Sequence, residues 1–205
     1  MKIDTVVFDL GGVIINGDDY IFCDKTNKVE RLLDTSKSQL LKTWNKAWKK
    51  FRIGKITEDE FMYEYVKLSK QKENDRELIS ELKNTWRKEV KPLGTMKYLD
   101  TLKKMGNLYG LSNISQEWLK YKTQKFSLDK KFIKIFSSAE EKLAKPDLKI
   151  YKALIRKTGI NPETAIFIDD SERNTGAARR LGFKTIHFKS EKEFLEKLKG
   201  FGFII

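Results

Sequence analysis

A single cysteine and a single histidine stand in a chain of 205 residues, and each scarcity excludes chemistry. Cys23 has no second thiol, so neither an intramolecular disulfide nor a thiolate metal site is available. His187 has no histidine partner, which sets aside His-based metalloprotease and Ser-His-Asp chemistry. It sits in Lys184-Thr185-Ile186-His187-Phe188, a short strand pattern, and reads as a structural residue. Long apolar runs are also missing: none reaches the roughly 18 to 20 residues needed to span a bilayer. The start, Met1-Lys2-Ile3-Asp4-Thr5, carries an acid and runs straight into Val6-Val7-Phe8-Asp9, unlike a signal peptide. No membrane association and a cytoplasmic location are therefore expected. Repeats and low-complexity linkers are absent too.

Charge, by contrast, is abundant. The formal net charge is +13, yet the lysines are spread along the chain and alternate with acids. That pattern describes a solvated surface, and no nucleic-acid partner is expected. It also attracts anionic substrates. Hydrophobic residues make up 40% of the chain, enough for one core with a small helical insert, as a monomer or a homodimer.

Two kinds of segment alternate. Ile3 to Leu10, Asn107 to Leu111, Ile133 to Ser137, Thr164 to Ile168 and Lys184 to Phe188 are short, β-rich and apolar, as strands buried on both faces are. Helical stripes separate the later ones: Met96, Leu99 and Leu102; Ile150, Tyr151, Leu154 and Ile155; Ala177, Ala178 and Leu181. They are closed by Gly106, Gly159 and Gly182. This alternation predicts an α/β fold, a Rossmann-like, doubly wound parallel sheet. Residues 17–91 hold no strand pattern. Leu40, Trp44, Ala47, Trp48 and Phe51 fall at helical spacing, Thr57-Glu58-Asp59-Glu60 is a capping box, and Leu78, Leu82 and Trp86 form a further stripe. The reading is a core of residues 1–16 and 92–205 with an inserted α-helical cap at 17–91. Its aromatic stripes read as packing between helices. Trp44, Trp48, Arg52 and Lys55 face either the site or the cap's own core. The closing Phe201-Gly202-Phe203-Ile204-Ile205 is an added strand or a packing tail.

Four segments follow predicted strands, where open α/β sheets place their sites. Val6-Val7-Phe8-Asp9-Leu10-Gly11-Gly12 ends an apolar strand in a carboxylate, and its glycines permit a tight turn and close ligand approach. Tyr109-Gly110-Leu111-Ser112-Asn113 puts a hydroxyl and an amide at a strand end. Ala144-Lys145-Pro146-Asp147 puts a lysine before a helix, with Pro146 expected in its first turn and Asp147 at its acidic start. Ile168-Asp169-Asp170-Ser171-Glu172-Arg173-Asn174 places two adjacent carboxylates at a strand end, an arrangement that a hard divalent cation stabilises.

Taken in order, these segments resemble the haloacid dehalogenase-like superfamily over nearly the whole chain. The Phe-Asp-Leu-Gly-Gly-Val and Leu-Ser-Asn forms resemble the branch of sugar-1-phosphate phosphatases and the phosphatase half of soluble epoxide hydrolases. The resemblance implies that Asp9 is a nucleophile attacking phosphorus and forming an aspartyl-phosphate. It implies Mg²⁺ at Asp9, the Gly11 carbonyl and Asp170, with Asp169 close by or bound through water. Ser112, Asn113 and Lys145 would hold the transferring oxygens, and Asn174 would orient the last loop. The substrate would be a small phosphorylated metabolite, for example a sugar phosphate.

One position departs from the family pattern. Phosphatases of the family carry a second Asp two residues after the nucleophile, and here that residue is Gly11. General acid-base help is worth about 10²- to 10⁴-fold. A substrate with a good leaving group, a cap residue such as Asp18 or Asp19, or a catalytically weak binding protein each accounts for the loss. So does a metal-free 2-haloacid dehalogenase, which the Asp169-Asp170 pair argues against.

Overall fold

The computed structural model describes residues 2–19, 28–69 and 75–204; Cys23 lies outside them. Five short strands form one sheet: β1 (Thr5–Phe8), β2 (Asn107–Ser112), β3 (Lys134–Ser137), β4 (Ala165–Asp169) and β5 (Lys184–His187). Their order is β3-β2-β1-β4-β5, and every pairing is parallel. This is the expected Rossmann-like α/β fold. The strands lie where the apolar runs were read, trimmed at some ends. Residues alternate between faces. Val6 and Phe8 join one apolar cluster and Val7 joins another, so both faces are covered and β1 is buried throughout.

Between β1 and β2 the described residues form the helices α1 (Lys28–Leu32), α2 (Lys37–Phe51), α3 (Glu58–Val66) and α4 (Asp75–Glu89), then α5 (Leu99–Met105). Capping boxes at Ser36 and Thr57 start α2 and α3. The aromatic stripes meet as packing. Trp44 stacks on Trp48 at 4.6 Å between ring centroids and Phe51 on Phe61 at 4.5 Å. Trp86 stacks at 4.3 Å on Trp118 of α6 (Gln116–Phe126), which follows β2. The insert thus shares one continuous apolar cluster with the sheet face that carries Phe8.

The two ends of the insert lie side by side. Ile15 bridges Pro92, the Leu93 N–H donates to the Ile14 carbonyl, and the Asn16 amide both accepts from the Lys91 N–H (2.8 Å) and donates to the Glu89 carbonyl (2.9 Å). The remaining helices are α7 (Leu128–Lys131), α8 (Ser138–Glu141), α9 (Leu148–Thr158), α10 (Glu172–Arg179) and α11 (Glu191–Gly200). Asp147 is the N-cap of α9, its side chain accepting from the Lys149 N–H. Pro146 was expected inside the first turn of that helix. It stands one residue before the cap instead, joined to Lys145 by a cis peptide bond. The closing segment is a packing tail: Phe203 is buried and its N–H donates to the Leu198 carbonyl, while Ile204 is exposed.

Candidate active site

Register brings three of the four segments to one edge, and ion pairs bring Lys145 to it. Phe8 pairs with Gly110 on one side and Ile168 on the other, so Asp9, Ser112 and Asp169 leave their strands at the same C-terminal end. Asp9 is nearly buried, and both of its carboxylate oxygens are held. Oδ1 accepts from the Leu10 N–H at 2.7 Å, and Oδ2 lies 3.0 Å from Lys145 Nζ. The ammonium is fully buried and also contacts Asp169 Oδ2 at 2.6 Å. Asp169 is buried as well, and its other oxygen accepts from the Ser171 N–H and the Asn174 amide, each at 2.9 Å. The adjacent acids therefore differ. Protein donors satisfy Asp169, whereas Asp170 stands more open and bends back over Gly12.

Gly12 adopts φ +75°, and a Cβ there would overlap the Asp170 carboxylate. A positive φ and this close approach both require glycine. Gly11 differs: a Cβ at that position meets nothing within 4 Å.

Asp9, Asp169 and Asp170 offer ligand oxygens that all lie within 4.8 Å of one another. Three carboxylates face one ammonium, an excess of negative charge in a poorly solvated place. Burial, and then the charges of Asp169 and Asp170 working against Lys145, push the Asp9 carboxyl up to about 7. Burial and Asp169 raise Asp170 too. Burial disfavours the Lys145 ammonium, but Asp169 and Asp9 outweigh it and hold its pKa above the ordinary value. An oxygen-rich, over-negative cluster suits a hard divalent cation, so the residues present fit one.

Asn113, expected to contact the substrate, lies beside Lys145 and uses its side chain on that residue's backbone. Its Oδ1 accepts from the Lys145 N–H (2.8 Å) and its Nδ2 donates to the Lys145 carbonyl (3.0 Å). Both ends of the amide thus hold the lysine's backbone. Asp18, one candidate for the missing acid, is also engaged. It accepts two hydrogen bonds from buried Lys122, at 2.8 and 2.9 Å, and one from Trp86 Nε1 at 3.0 Å. Asp19 is exposed and adds negative potential at Asp170.

Two supporting residues escaped the sequence reading. His187 Nε2 lies 3.0 Å from the Asp170 carbonyl, and the Tyr151 hydroxyl donates to the Asn174 carbonyl at 3.0 Å. The position of His187 at the end of a strand next to β4 was the available signal. Tyr151 looked like any core aromatic. Trp44 and Trp48 pack within the aromatic cluster, and Lys55 is exposed.

Residues 6–188 match the family described as haloacid dehalogenase-like hydrolase. The chain is 28% identical over 202 residues to drimenol cyclase drtB of Aspergillus calidoustus, covering 95% of this chain and 35% of that protein. Over 94 residues, 45% of this chain and 41% of the relative, it is 29% identical to (S)-2-haloacid dehalogenase 4A of Burkholderia cepacia. It therefore spans well under two thirds of both. It is 25% identical over 213 residues to D-ribitol-5-phosphate phosphatase of Bacteroides thetaiotaomicron, covering 96% of this chain and 97% of the relative. A solved enzyme of the same family from that organism, in complex with magnesium and inorganic phosphate, superposes with a TM-score of 0.74. The identity is 26%, over 92% of this chain and 96% of that one.

Proposed function

This chain belongs to the haloacid dehalogenase-like hydrolases, and from that premise we propose that it is a magnesium-dependent phosphatase of a small phosphorylated metabolite, with Asp9 as nucleophile. The observation that carries the reading is the Asp9–Lys145–Asp169 chain beside Asp170, an over-negative oxygen cluster at the sheet edge. Asp9 and Asp170, with the Gly11 carbonyl, would hold Mg²⁺, and Asp169 would support them through Lys145. When bound, the cation offsets the cluster's negative charge and screens the phosphate from the carboxylates.

The chain's own residues then do the following. The Leu10 N–H and Lys145 fix the Asp9 carboxylate, so an oxygen of Asp9 attacks phosphorus in line and the leaving oxygen departs. Ser112 and the Lys145 ammonium neutralise the transferring oxygens. Asn113 positions Lys145, and Asn174 positions Asp169. Water then hydrolyses the aspartyl-phosphate. The helices from Lys28 to Glu89 act as a cap over the site, with boundaries near residues 17 and 91.

A metal-free dehalogenase is the alternative that Gly11 and the Burkholderia relative favour. Release of phosphate from an aryl phosphate and a panel of sugar and polyol phosphates, with and without Mg²⁺, separates the two. Mg²⁺-dependent turnover is expected. Its absence throughout the panel, together with halide release from a 2-haloacid, would establish the alternative.

The open space at Gly11 makes the missing acid testable by restoring it. Nothing lies within 4 Å of a Cβ added there, and the backbone is not left-handed. Gly11→Asp is expected to raise kcat on alkyl phosphates by about 10- to 100-fold and to change aryl phosphates little, since general acid help matters most for poor leaving groups. Equal gains on both would show that the introduced carboxyl acts by some other route.

A further inference from the structure

Arg52 is the C-cap of α2, and its side chain is anomalous for a partly buried cation. Its Nε is shielded from solvent yet donates to nothing, and among the described residues no carboxylate pairs with the guanidinium. Burial lowers its pKa, with no charge offsetting the loss of solvent. Buried donors are normally satisfied, so a shielded N–H without an acceptor is costly. A shielded, unsatisfied Nε–H is a place where a substrate can supply the acceptor.

Its location fits that role. The Arg52 carbonyl accepts from the Ser138 hydroxyl, which also accepts from the Ile114 N–H at 2.9 Å. Ser138 follows β3 directly, Ser137 pairs in register with Ser112, and Ile114 lies two residues beyond Ser112. The Arg52 backbone is thereby tied to the same C-terminal sheet edge as Asp9, with β2 between β3 and β1. At the usual strand spacing that is roughly 10 Å from the nucleophile's strand. At that separation, a substrate with its phosphate at Asp9 would need a chain of several carbons to reach Arg52. The other cations on this side differ: Lys142 donates to the Gly54 carbonyl, and Lys145 is spent on Asp9 and Asp169.

We propose that Arg52 reads the far end of the substrate, and that the site takes phosphate monoesters whose leaving group carries a second anionic group several carbons from the ester. The inference rests on the phosphatase reading for the position of the ester. A planar guanidinium takes an anion in bidentate fashion, and such a partner would satisfy the shielded Nε–H.

The test compares 6-phosphogluconate with glucitol 6-phosphate on the Mg²⁺-loaded full chain. The two share a six-carbon chain and differ at the far carbon, carboxylate against hydroxymethyl. The carboxylate ester is expected to be preferred in kcat/KM by about 10- to 100-fold, mostly through KM. Arg52→Met keeps the apolar stem and should bring that ratio close to one, while Arg52→Lys keeps part of it. A ratio taken within one preparation does not depend on how much of it folds. Equal use of both esters by the wild type, or an unchanged ratio in Arg52→Met, would overturn the proposal. If the wild type turns over neither ester, calorimetric titration decides: an Arg52-dependent preference for the carboxylate upholds it, and no preference or no binding overturns it. Activity on the aryl phosphate judges the phosphatase reading separately.

Discussion

Asp9→Asn is expected to lower phosphate release by at least about 10⁴-fold while leaving the protein folded. Deleting the nucleophile removes the covalent step itself, and such losses approach the whole of the chemical contribution. The substitution is nearly isosteric. The amide oxygen can still accept from the Leu10 N–H or face Lys145, and a neutral side chain avoids both the burial of charge and the repulsion from Asp169 and Asp170 that together push Asp9 up to about 7. The thermal midpoint is therefore expected to hold or to rise slightly. Steady-state phosphate release and a circular-dichroism melt check the two halves. A variant that keeps the wild-type rate would remove Asp9 from the nucleophile's role.

Lys145→Met carries the second large effect, and it falls on stability as well as rate. The ammonium is the counter-charge for two buried carboxylates, at 3.0 Å from Asp9 and 2.6 Å from Asp169, and nothing else of positive charge reaches both among the described residues. Removing one partner of a buried ion pair costs about 3–5 kcal/mol, because the other charge stays desolvated and unpaired. For a chain of this size each kcal/mol is worth roughly 2–4 °C, so the midpoint is expected to fall by about 6 to 20 °C. Methionine fills much of the lysine stem's volume, so the loss would report the charge rather than a cavity. Asp169→Asn added to Lys145→Met should recover part of the loss by removing one stranded carboxylate. A midpoint within a few degrees of wild type would show that the two acids do not depend on Lys145.

Much of this was legible in the chain. Five short apolar runs separated by helical stripes can bury both faces only as a parallel sheet, and three of the four chemical segments then fall at a strand's C-terminal end, with Lys145 in the loop before α9. The crowding of Asp169 and Asp170 was legible as well, because adjacent residues cannot separate. Side-chain partnerships were less so. Asn113 next to Ser112 looked like a second donor to the substrate, but the loop from Ala144 to Pro146 folds against it and takes both ends of its amide. Asp18 looked available for proton transfer until α6 brought Lys122 to it from 104 residues away.

The sequence by itself determined the order of elements and the sheet edge that carries the candidate site, since hydrophobic periodicity and turn residues are local properties; the role proposed for Asp9 came from the family resemblance of its segment. Tertiary structure alone decided which polar groups are already satisfied and which are left over. It makes Asn113 a brace and Asp18 half of an ion pair, leaves Gly11 beside open space, and leaves the shielded Arg52 Nε without an acceptor among the described residues. Hydrogen-bond saturation depends on distances of about 3 Å between residues far apart in sequence, and no local pattern encodes it.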